Sequence, residues 1–165
     1  MDFLPQMRAY FLAQKNESLG SMLIGAATLT TAFFGWFVWK KPFYFGMAWP
    51  LAALALPQIL VGAKAYFQTE KRIAFFEERF SQNPRAFAAN ARGRVKTVLR
   101  SLTLQIWVKA ALAAVGLALI LIHVHADFWK GWGAGMFLQG GLMWLAEFFA
   151  RKRAVDYLKL LEDLG

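Results

Sequence analysis

Cysteine is absent from this sequence, which excludes disulfides, thiol chemistry and any cysteine-based metal site. Acidic residues are scarce, 10 Asp and Glu against 19 Lys and Arg, for a formal charge of +9. Charge of either sign is nearly missing from four long stretches. Leu19 to Trp39 and Pro42 to Ala63 contain none, Ser101 to His123 contains only Lys109, and Gly131 to Ala150 contains only Glu147. Common active-site patterns are missing too. There is no Ser-His-Asp arrangement, nucleophile elbow, set of paired carboxylates or Gly-rich nucleotide loop, so the chain reads as non-enzymatic and without a cofactor.

What is present is apolar. Of the 165 residues, 58% are hydrophobic and the mean hydropathy is +0.38, whereas soluble domains carry about 45–50% apolar residues. A bilayer core about 30 Å thick needs about 20 helical residues at about 1.5 Å each, and the four stretches have that length. The expected fold is an all-α polytopic membrane protein with four transmembrane helices, at 19–39, 42–63, 102–123 and 130–150, arranged as two antiparallel hairpins. The first stretch is too long for a signal-peptide core and ends in Trp39-Lys40-Lys41-Pro42 rather than at a small-residue cleavage site, so it is expected to be retained as a span.

Basic residues set the orientation. Arg8 and Lys15 precede the first stretch, Lys64 to Arg100 fill the middle segment, and Arg151, Lys152, Arg153 and Lys159 follow the last. The two short tips hold only Lys40, Lys41 and Lys130. The positive-inside bias therefore predicts a bacterial inner-membrane protein with both termini and the middle segment in the cytoplasm, facing anionic headgroups of the lipid bilayer. Those headgroups account for the basic charge without nucleic-acid binding. Trp36, Trp39, Trp49, Trp129 and Trp132 lie near the tips, where an outer aromatic belt belongs.

Helical stripes continue past the spans. Tyr66, Thr69, Ile73, Phe76 and Phe80 make one, Asn83-Pro84 breaks it, and Phe87, Ala91, Val95, Val98 and Leu102 make another. This spacing predicts a cytoplasmic helical hairpin over 64–100. Ala154, Tyr157, Leu161 and Leu164 mark a cytoplasmic C-terminal helix over 151–165. Phe3, Met7, Tyr10 and Phe11 mark an amphipathic helix within 1–18, expected to lie flat on the headgroups,. The segment Tyr66 to Arg72 after the second span parallels Glu147 to Arg153 after the fourth, a hint of a parallel internal repeat.

Ionisable groups inside a span are functional candidates by default. Lys109 and Glu147 sit at depths that differ by about 5 Å on adjacent antiparallel helices, so an intramembrane ion pair is expected between them. Gln58, Gln105 and Gln139 are the polar membrane contacts. Gly131, Gly135 and Gln139 share a face at intervals of four, as do Ala110, Ala114 and Ala118. Small residues at that spacing let helices approach closely. The expected arrangement packs the two stripes together, with Gln139 bonding across from span four to span three. His123, His125 and Asp127 are read as solvated tip residues rather than a metal site.

Three segments carry a resemblance: Tyr66-Phe67-Gln68-Thr69-Glu70-Lys71-Arg72, Asn83-Pro84-Arg85-Ala86-Phe87, and the run from Gln139 to Tyr157. They resemble a loose group of small four-span bacterial inner-membrane proteins, some of which act as immunity partners of membrane-targeting toxins. The resemblance implies a non-catalytic interaction protein that binds and neutralises such a toxin, and carries over no functional residues. The alternatives are a small oligomeric transporter or channel, and an accessory subunit of a larger membrane complex. A protein partner, or a second copy of the chain, is expected in each case.

Overall fold

The computed structural model describes residues 3–163, and these are helical almost throughout. Four helices follow one another: α1 (Phe3–Phe34), α2 (Pro42–Gln82), α3 (Pro84–Ile122) and α4 (Asp127–Glu162), with a π-helical turn at Gly35–Trp39 after α1. Three are long and apolar enough to cross a membrane, over Phe3–Trp39, Pro42–Gln82 and Ala86–Ile122. α4 falls short of the expected fourth. Its central stretch is rich in Gly and contains Gln139 and Glu147, and glycine supplies no apolar side chain.

Each helix runs on well beyond its apolar stretch. α2 has 41 residues, about 60 Å at 1.5 Å per residue, twice a bilayer core. Pro50 and Pro57 lie inside it without ending it. Local chemistry ends it at Asn83. That residue is extended, its side chain accepts from the Ala86 N–H at 3.0 Å, and Pro84 opens α3 at a position that needs no N–H donor,.

The expected surface helix at the N-terminus is corrected. Phe3, Met7 and Phe11 are buried in one cluster with Ile73, Phe87, Ala91, Val95, Tyr157 and Leu161, drawn from all four helices. A stripe spaced i, i+4, i+8 suits a headgroup layer or a protein core equally. Here α1 continues unbroken through residue 18, which holds its first turns upright beside α2. Arg8 pairs with Glu77 at 2.9 Å and Lys15 with Glu70 at 2.6 Å, and Arg153 of α4 pairs with Glu17. Tyr10 stacks on Tyr157 at 4.3 Å. Burial pushes the Tyr157 phenol above its ordinary range, and Tyr10 adds to the shift,. Arg92 donates to the Leu161 carbonyl at 2.7 and 2.9 Å and to that of Glu162 at 3.2 Å, closing the last turn of α4. Leu164, expected to extend this stripe, lies outside the described residues.

Away from this turn end, contacts join α1 to α2, α2 to α4 and α4 to α3. The helices there form a row, α1–α2–α4–α3, with α4 between two of the membrane-length helices. At the tip end Trp36 meets Trp49 at 5.3 Å, Trp39 meets Tyr44 at 4.7 Å, and Trp129 meets Trp132 at 6.2 Å.

Candidate functional site

The inner helix of the row holds the candidate residues, and glycine determines how it sits. A helix turns 100° per residue, so positions two apart point nearly opposite ways. Gly131 and Gly135 face α2: a Cβ on Gly135 would lie 2.6 Å from the Met47 carbonyl oxygen and from Pro50 Cγ, and one on Gly131 would run into the Phe43 carbonyl. Gly133 faces α3, where a Cβ would meet the Gly116 carbonyl at 2.5 Å, and Gly140 approaches Ala113 N at 3.1 Å. α4 is therefore thin on both sides, and both neighbours approach its backbone.

Two expectations change as a result. The stripe Ala110, Ala114 and Ala118 does not pack on Gly131 and Gly135. Ala114 and Ala118 are exposed on the outer side of α3, and the α3–α4 contact is made by Gly116 and Ala113 with Gly133 and Gly140. Gln139 does not bond to α3 either. It is fully buried and its Nε2 donates to Gln58 Oε1 on α2 at 2.6 Å. The reason is the same in both cases: Gln139 continues the Gly131–Gly135 face, and that face belongs to α2. Gly133, two residues from each, was the sequence signal for a second contact face.

The Gln58–Gln139 bond belongs to a relay. Gln58 Nε2 donates to the Ser21 carbonyl of α1 at 3.0 Å. A carbonyl only accepts, so this contact fixes the Gln58 amide with its oxygen toward α4, and Gln139 must present its NH2. Among the described residues, Gln139 Oε1 is then left buried without a partner. The relay ties α1, α2 and α4 at mid-helix. Gln58→Leu should cost about 1–3 kcal/mol, because both polar ends of Gln139 are then unpaired. Gln139→Leu should cost less, about 1 kcal/mol or below, since it also removes the orphan oxygen. Unfolding of the two variants in mixed detergent micelles tests this order.

Lys109 of α3 and Glu147 of α4 meet as an ion pair, with side chains 14% and 18% exposed. Gln105 is exposed and bonds only one turn back, to Ser101 at 3.2 Å. His123 lies against Trp129 at 5.8 Å and His125 is exposed. Among the described residues no three potential metal ligands converge. Compared with known proteins, the chain matches no family model, no curated protein and no solved structure.

Proposed function

We propose that this chain is a non-catalytic integral protein of the bacterial inner membrane that binds a partner inside the bilayer, and that the partner is a membrane-targeting toxin which it neutralises. On this reading all four helices cross as two antiparallel hairpins with both termini cytoplasmic. α4 crosses despite its lower hydropathy, because it is clasped along its length by α2 and α3. Gly131, Gly133, Gly135, Gln139, Gly140 and Glu147 face those helices while Phe137, Leu138, Leu142 and Leu145 are exposed, the distribution lipid demands.

The observation that carries the interaction reading is the outer side of α3. Ala114 and Ala118 are exposed there, and only 6% of the apolar window of this helix is buried against 50% for α2. Small residues at intervals of four are what a second transmembrane helix requires for close approach, and among the described residues nothing covers Ala114 and Ala118. The four-span group resembled by the sequence supplies the toxin as the partner.

Cells lacking the gene should die in contact with toxin-bearing siblings, and expression of Ala114→Ile/Ala118→Ile protein should fail to rescue them although it reaches the membrane at the normal level. Survival of the deleted strain overturns the immunity reading. Reporters fused after residues 42 and 128 should both report the non-cytoplasmic side, and a cytosolic signal from either overturns the orientation. Because the sequence has no cysteine, an Ala114→Cys variant carries a single thiol. Disulfide dimers of that variant would assign the face to a second copy instead.

A further inference from the structure

Neighbours change along the length of the molecule. α2 and α3 are joined at Asn83, but farther from that turn α4 stands between them, so the two diverge. The space between them is a cavity of about 690 Å³, within the about 300–1,000 Å³ typical of small-molecule sites. One turn after another of each wall points into it: Gln68, Lys71, Arg72 and Phe75 from α2, and Ala91, Arg94, Val95 and Val98 from α3. Phe11 of α1 and Tyr157 of α4 also line it.

Its chemistry is two-sided. Three cations, Lys71, Arg72 and Arg94, converge from two helices, and among the described residues none has a carboxylate within ion-pairing distance. Glu70 and Glu77, on the same stretch of α2, are drawn away to Lys15 and Arg8 of α1. Arg72 is steadied by Gln68 at 3.2 Å. Behind the cations the walls are apolar, with Phe75 41% and Val98 46% exposed, so large apolar groups border an opening that carries only positive charge. Lys71, Arg72 and Arg94 lie eight or nine residues beyond the predicted spans, about 12–14 Å below the hydrocarbon, from where their long side chains reach back to the headgroup layer.

We propose that this cavity binds an anionic phospholipid of the cytoplasmic leaflet, its headgroup on Lys71, Arg72 and Arg94 and its chain against Val95 and Val98, which lie nearer the bilayer than the cations. A phosphate takes charge-assisted bonds from both guanidinium groups, and the bilayer presents such lipids at the mouth of the cavity. The site rests on the membrane-spanning reading and is independent of the toxin.

Native mass spectrometry of the full chain in mild detergent, supplied with phosphatidylglycerol, phosphatidylcholine or oleate, tests it. Phosphatidylglycerol should be retained at one per chain in preference to the other two. Lys71→Gln/Arg72→Gln/Arg94→Gln should weaken retention at least about tenfold, at roughly one surface charge's worth of attraction each. Lys64→Gln/Lys96→Gln/Lys152→Gln, which removes as much charge outside the cavity, should leave it unchanged. Val98→Trp fills the cavity with its cations intact and should also weaken it. The site is refuted by equal retention of phosphatidylcholine, by preference for oleate, by an equal loss in the control triple, or by no effect of Val98→Trp. Correct topology reporters alongside any of these outcomes would show that the lipid site failed and the membrane reading did not.

Discussion

Gly131→Val should part α2 from α4 and cost about 3 kcal/mol or more, beyond the usual range for overpacked cores. The added Cβ would occupy the place of the Phe43 carbonyl and lie 3.0 Å from Met47 N. Both obstacles are backbone, so no rotamer change relieves them. Gly46 makes the reciprocal contact, its Cβ colliding with the Phe128 carbonyl, so Gly46→Val should fail in the same way. Separating the helices would also break the Gln58–Gln139 bond and open two amides to lipid. The expected readouts are lost membrane accumulation and a collapsed melting temperature in detergent. Gly93→Ala is the control. Nothing lies within 4 Å of a Cβ built there, and exchanging a helical glycine for alanine should raise stability by about 0.5–1 kcal/mol. If Gly131→Val melts like the native chain, α2 and α4 are not in contact as described.

The same glycines show what the sequence could and could not disclose. Spacing shows which residues share a helix face; it does not show which helix covers that face. Gly131, Gly135 and Gln139 were legible as one face, yet their neighbour is α2, because the chain returns α4 to the middle of the row. The row order depends on backbone approach along four helices, which no single stretch encodes. The Ala114 side of α3 was misassigned for the same reason, and so was the N-terminal stripe, whose burial needs Ile73, Phe87 and Tyr157 brought from three distant segments. Features set locally were readable. Asn83-Pro84 ends one helix and starts the next through its own side chain and ring, and Lys109 and Glu147 could be matched because chain-adjacent antiparallel helices fix their relative depth. In the row, α1–α2 and α3–α4 each place their second helix at the centre, and Gly131 beside Met47 and Gln139 beside Gln58 set α2 and α4 running the same way.

Lys109 and Glu147 separate the interaction and transport readings most sharply. Lys109→Leu should cost about 3–5 kcal/mol, the usual penalty for leaving one member of a buried pair uncompensated. Side-chain exposures of 14% and 18% place the pair among buried bridges rather than surface ones, and in a bilayer the residual exposure faces lipid. Glu147→Leu should cost less. The orphaned Lys109 has a long flexible stem that can carry its ammonium toward the headgroups, whereas the shorter carboxylate of Glu147 has no comparable reach. The double variant Lys109→Leu/Glu147→Leu should return close to native stability, because two apolar side chains of similar size fill the contact without any desolvated charge. Reversible unfolding in mixed micelles of the native chain, both single variants and the double variant yields the coupling directly. With the fold intact, the double variant isolates function. A protein that works by presenting the outer side of α3 to a partner keeps its protective effect, since neither residue lies on that side. A transporter that moves a proton or ion through the chain loses its activity altogether, because its titratable path is gone. Protection lost in a stably folded double variant would therefore transfer the function from the exposed alanine face to the Lys109–Glu147 pair.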